Sequence, residues 1–167
     1  MARYQLAQLN VARLVAPLDS PELAGFVARL DEINALAEAS PGFVWRFQTD
    51  EGDATSAEHP FGDDMIVNMS VWASIEALHA YVYRSAHAPV MARRKRWFRK
   101  TDEAYAVLWW VPAGHRPTVR EAHARLLALR ADGPSCEAFT FKRPWPAPGA
   151  ADAATAPEPF DDPCPAT

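Results

Sequence analysis

"MIVNMSVW", residues 65–72, is the stretch from which the rest of the chain is best read. Met65, Val67, Met69 and Val71 form one apolar series; Ile66 and Trp72 belong to the other, which Asn68 and Ser70 interrupt. A short run that is apolar at both parities predicts an interior strand of a sheet. Asn68 inside such a strand needs hydrogen-bond partners if buried, and that requirement often marks a polar point in a pocket.

Towards the N-terminus, the polar, glycine-containing segment 49–64 predicts a loop, and "FVWRFQ" (43–48) a strand with Phe43, Trp45 and Phe47 on one side and Val44, Arg46 and Gln48 on the other. Before it, Ser20 is placed to cap a helix, Pro21 to fill its first position and Glu22 to complement its dipole. Leu23, Phe26, Val27, Leu30, Ile33, Asn34 and Leu36-Ala37 then recur at helical spacing, predicting one buried stripe that ends at Pro41-Gly42. "YQLAQLNV" (4–11) predicts the first strand.

Towards the C-terminus, Ser74 is placed to cap a helix reaching about Ser85, and Pro89 to start a second helical piece over 89–100. "EAYAVLWWV" (103–111) predicts a strand in which Trp109 and Trp110 point to opposite faces. Thr118 and Glu121 have capping-box spacing at the start of a helix that closes at Gly133-Pro134, and "EAFTF" (137–141) predicts a last short strand. Residues 1–143 thus form one domain. Residues 144–167, with seven prolines and no periodicity, form a tail expected to be disordered.

The resulting order, βαββαβ followed by αβ, predicts an α+β, ferredoxin-like antiparallel sheet with helices on one face. The other face would be bare and apolar, and a second copy of the chain related by a two-fold axis would cover it. A homodimer is therefore expected.

Composition narrows the partners. The chain has net charge −4, yet residues 84–100 hold seven of its 17 basic residues and no acid. The basic charge is thus an island in an acidic chain, which argues against a dedicated nucleic-acid binder. Cys136 and Cys164 do not make a disulfide framework or a zinc spacing. No stretch has the length of a membrane span, and the first residues lack the apolar core of a signal peptide, so a cytoplasmic protein is expected, with neither membrane nor nucleic acid as partner.

The segments "NMSVW" (68–72), "YRSAH" (83–87), "RRKRWF" (93–98), "WWVPAGHRPTVREA" (109–122) and "GPSCEAFTF" (133–141) resemble the dimeric α/β-barrel superfamily to which antibiotic-biosynthesis monooxygenases belong. More narrowly, they resemble one bacterial domain family of unassigned function within it. The superfamily also contains chlorite dismutases and small isomerases and cyclases. The resemblance implies a dimeric α/β barrel with a pocket between sheet and helices. Its monooxygenases let a substrate carbanion react with oxygen without an organic cofactor, and some relatives bind haem. Because one fold hosts many chemistries, the residues themselves must carry the assignment.

His87, at the joint before Pro89, is a candidate general acid–base group, or an axial ligand if haem is bound. Arg94, three residues before Trp97 and expected on its side, can hold a carboxylate or phenolate by paired hydrogen bonds, while Arg93, Lys95, Arg96 and Arg99 are expected in water. Asn68 completes the expected catalytic set. Arg46, Trp45, Tyr83, Trp97 and Trp110 are candidates for contact with substrate. His115 is expected to close a loop and His123 to border a helix stripe, and no metal site is expected. The reading is an enzyme acting by proton abstraction on a small apolar or aromatic molecule, without an organic cofactor. The alternatives are a haem-binding protein and a non-catalytic ligand binder.

Overall fold

The computed structural model describes residues 3–48, 60–85, 89 and 92–150. Strands β1 (Tyr4–Arg13), β2 (Phe43–Arg46), β3 (Met65–Trp72) and β4 (Ala106–Pro112) form an antiparallel sheet in the order β2-β3-β1-β4. Helices α1 (Ala24–Ala39), α2 (Ile75–Arg84) and α3 (Val119–Asp132) complete the fold. The strand order and the two helices between strands are those of a ferredoxin-like α+β fold. As 65–72 predicted, β3 is interior, paired to β1 on one side and β2 on the other.

Strand alternation sorts the β1 residues into two sets. Ala7, Leu9 and Val11 pack with Val67, Met69, Val71, Val107, Trp109 and Val111. Over them lie Ala122, Leu126 and Leu129 of α3. The expectation of a bare second face is therefore corrected: the chain's own last helix covers it, because its i, i+4, i+7 apolar residues supply the stripe the sheet needs. The argument for a homodimer from an uncovered sheet face falls with it. Leu6, Trp72 and Leu108 face the opposite way and pack with Ile75 and Leu78 of α2, Ala37 of α1 and Phe139. Trp109 and Trp110 do point to opposite faces, the first under α3 and the second towards Phe139.

The start of α1 differs from expectation. Residues Pro21–Leu23 form a 3-10 turn, α1 begins at Ala24, and the Ser20 side chain does not cap it: its Oγ is buried without a hydrogen-bond partner among the described residues. Ser74 does cap α2, accepting from Ala77 N at 3.2 Å, and Thr118 caps α3, accepting from Glu121 N at 3.1 Å. Gly42 ends α1 at φ +83°, where a Cβ would stand 2.5 Å from the Ala77 Cβ. Both the left-handed backbone and the close approach of α2 demand glycine there.

Three further boundaries move. Of the helix expected over 89–100, the described residues 89 and 92 are helical, but a 3-10 turn follows at Arg94–Arg96 and Phe98 bridges Leu14. Residues 137–141 make only isolated bridges, Leu108 with Phe139 and Thr140 with Arg143. Pro144 is buried and the Trp145 carbonyl accepts from Trp110 Nε1 at 2.8 Å, so the folded part runs past 143; residues 151–167 of the expected tail lie outside the described residues.

Candidate functional site

On the α1/α2 face the sheet carries a polar strip between two apolar clusters. One cluster is Leu6, Trp72, Leu108 and their partners on α2. The other is Leu14, Leu23 and Trp97, with Phe26, Ile66 and Phe98 against them. Between Trp72 and Ile66 on β3 stand Ser70 and Asn68; opposite them on β1 stand Gln8 and Asn10. Gln8 Nε2 donates to Ser70 Oγ at 2.9 Å and to Asn68 Oδ1 at 3.2 Å, and Trp72 Nε1 donates to the same Ser70 Oγ at 2.8 Å. Gln8 and Ser70 are buried, whereas Asn10 is half-buried and Asn68 exposed. One end of the strip is thus fixed by hydrogen bonds and the other is open.

The opening follows from how α1 is held. Its N-terminal part packs through Phe26 on Trp97, with ring centroids 5.6 Å apart, and its C-terminal part buries Ala37 against the Trp72 cluster. Between these anchors Leu30 and Ile33 are only half-buried, and Val27 is 42% exposed. The expected single buried stripe is therefore buried only at its ends.

Arg46 borders this face beside Ser70. A register shift between Phe43 and Trp45 places an extra residue in β2. Phe43 therefore turns to Trp72, with an edge contact at 5.5 Å, while Trp45 and Phe47 turn to the α3 face. This corrects the alternation expected for 43–48, because one inserted residue reverses the side on which the preceding residue lies. Arg46 is 15% exposed and donates from Nε to Glu38 Oε1 at 2.7 Å. Tyr81 stacks on Trp72 at 5.0 Å and donates to the Ile33 carbonyl at 3.4 Å. Burial pushes the Tyr81 phenol well above its ordinary value, with Arg46 pulling the other way, so it stays protonated at neutral pH.

The structure brings some sequence-predicted residues to this face and sends others away. Asn68 is on the strip, Arg46 at its border, Trp97 in one flanking cluster and Trp110 against the other. Tyr83 lies on α2, its ring 4.7 Å from His79 and 5.8 Å from Phe141. Trp45 packs into the core beneath α3 and shares no wall with Trp110. Arg94 does not accompany Trp97: its guanidinium lies over the Tyr105 ring, 4.2 Å from the centroid, in a separate cleft. A 3-10 turn replaces the expected helix there, so the side that three-residue spacing predicted for Arg94 does not hold. Arg93, Lys95, Arg96 and Arg99 are exposed, as expected. His87, on which both proton transfer and haem ligation were expected to rest, lies outside the described residues.

Gln8 and Asn10 were not singled out from sequence. The signal available was their alternation within "YQLAQLNV": two polar residues at the parity of Leu6, which in an interior strand marks a polar row. His115 closes its loop on Glu121 at 2.8 Å, and the same carboxylate accepts from Trp109 Nε1 at 3.0 Å. His123 rests against Phe61 with ring centroids 4.9 Å apart. Among the described residues no group of three or more His, Cys, Asp or Glu side chains is placed to hold a metal ion, and no helix is long and apolar enough to cross a membrane.

Fold and strip define an α+β protein with a ferredoxin-like sheet and a partly exposed polar strip on its two-helix face. Residues 5–155 match the family described as "Domain of unknown function (DUF3291)", and the chain belongs to that family. Among solved structures it is similar to NE2512, a protein of unknown function from Nitrosomonas europaea: 17% identity, covering 70% of this chain and 95% of that one, TM-score 0.43. It is also similar to SnoaB, a cofactor-independent oxygenase from Streptomyces nogalater: 18% identity, coverage of 70% and 97%, TM-score 0.44. A third is a Chloroflexus aurantiacus protein classed with the antibiotic biosynthesis monooxygenases: 16% identity, coverage of 69% and 98%, TM-score 0.38. No curated protein matches the sequence significantly.

Proposed function

We propose that the chain is an enzyme that binds a small apolar or aromatic molecule on the Asn10–Asn68 strip and removes a proton from it without an organic cofactor. The observation that carries this reading is the open polar strip held between two apolar clusters. Asn68, oriented by Gln8, binds a carbonyl or phenolic oxygen and stabilises the negative charge that appears on it when the neighbouring carbon loses its proton. Arg46, held by Glu38, stands at that border. Trp97 and Trp110 bound the apolar flanks. His87, in the segment that joins α2 to the Trp97 cluster, takes the proton.

Anthrone is a suitable probe, because its methylene is acidified by two aryl rings and a conjugated carbonyl. Exchange of that methylene proton in D₂O reads proton abstraction, and an oxygen electrode reads any later reaction of the carbanion with dioxygen, which yields the quinone and water. The expected result is exchange above the uncatalysed rate, lost in His87→Ala and strongly reduced in Asn68→Leu. Saturable quenching of tryptophan fluorescence with no exchange would instead identify a non-catalytic binder. Exchange that His87→Ala leaves unchanged removes His87 from the mechanism.

A further inference from the structure

The residues that the strip does not use point to a second site. β1 runs beyond β4: Asn10 is its last residue paired there, with Ala106, and Val11 N then donates to the Tyr105 carbonyl at 2.9 Å. Arg99 N donates to the Arg13 carbonyl at 2.8 Å, so the segment between 99 and 105 is tied to the end of β1 at both ends. Beside it lies a cleft of about 420 Å³, at the small end of the range for ligand pockets. Its apolar part is Val11, Ala12 and Met65, and none of Gln8, Asn10, Asn68 or Ser70 lines it.

The cleft's charge is not balanced. Arg94, Arg99 and Lys100 line it, and none of them has a carboxylate within ion-pair distance among the described residues. Arg13 is paired with Asp64 at 3.4 Å. Of the two acids in the lining, Glu103 is committed to Arg130 at 3.3 Å, leaving Asp102 exposed at the rim. Arg94 is half-buried and lies over the Tyr105 ring. A guanidinium held over an aromatic ring is oriented at little entropic cost and keeps N–H groups to offer an anion.

We infer that this cleft binds a small carboxylate with a flat apolar body, the carboxylate paired with Arg94 and the body against the half-buried Tyr105 and Met65. The guanidinium fork matches a planar carboxylate bidentately. Asp102 at the rim opposes a compact dianion such as phosphate more than a monoanion, and the half-buried Met65 gives phosphate nothing to contact. The inference is independent of the reading of the strip.

Titration calorimetry of the full chain with 2-naphthoate at low salt tests it. Saturable one-to-one binding is expected, at least tenfold weaker for the neutral isostere 2-naphthamide and at least tenfold weaker in Arg94→Ala. Thermal unfolding of that variant confirms that it is folded, and Arg99→Ala, at an exposed position, gives a second reading of the same charge. Asn68→Leu should bind 2-naphthoate as the unaltered chain does. Equal affinity for naphthoate and naphthamide, unaltered affinity in Arg94→Ala, displacement of naphthoate by inorganic phosphate, or loss of binding in Asn68→Leu alone would each overturn the proposal.

Discussion

The two faces of the sheet are made of alternate residues of the same strands, yet they do opposite things. Beneath α3 every strand position along Ala7-Leu9-Val11, Val67-Met69-Val71 and Val107-Trp109-Val111 is apolar and almost wholly buried. Beneath α1 and α2 the apolar surface is split in two, and the row between the halves is Gln8, Asn10, Asn68 and Ser70. A continuous apolar face closes on its helix and contributes stability. A divided one holds its helix at two ends and leaves polar groups exposed between them. Because neighbouring residues share a backbone, the dry face fixes where the polar groups of the other face stand.

This contrast can be broken most severely at Trp109, 1% exposed under α3. Trp109→Ala should lower the unfolding free energy by roughly 3–5 kcal/mol, read by urea denaturation. On the other face the fixed end of the strip should be intermediate. Ser70→Ala leaves the Gln8 amide and the Trp72 indole N–H without their shared acceptor, at a cost of about 1–3 kcal/mol. Thr118→Ala, which removes the cap that starts α3, should cost about 1 kcal/mol and so loosen the dry face from its edge.

Asn68→Leu at the open end should change stability by no more than about 0.5 kcal/mol while strongly reducing probe exchange, a separation of effects no position under α3 should show. A loss of stability as large as that of Trp109→Ala would mean that the two faces are alike. The pH dependence sharpens the same point. Burial raises the Tyr81 pKa, so the folded chain keeps a proton that the unfolded chain releases above about pH 10. Stability should therefore fall as pH rises past that value, and less steeply in Tyr81→Phe, as denaturation midpoints at pH 8 and pH 11 would record.

Much of the fold was legible because its signals are local. Ser74 and Thr118 are capping residues wherever they stand before an apolar-periodic run, and both cap. Ser20 looked equivalent, but Pro21 begins a 3-10 turn and the hydroxyl is left buried and unused. The candidate site was legible in part. Asn68 stands out inside its own strand, whereas Gln8 and Asn10 gain their meaning only from the pairing of β1 with β3, which no local pattern encodes. Trp45 and Arg94 were placed by periodicity, and periodicity fails where one residue is inserted in β2 and where a helix tightens to a 3-10 turn.

The sequence by itself determined the order of strands and helices from β1 to β4 and the helix after them, the interior place of 65–72 and the caps of two helices, since propensity, capping and alternation act within a few residues. Tertiary structure alone decided that α3 would cover the second face, that α1 would be buried at its ends and only half-buried between them, and that Arg94 and Trp97 would part. Those outcomes depend on which apolar surfaces meet across long stretches of chain, and no local spacing encodes that.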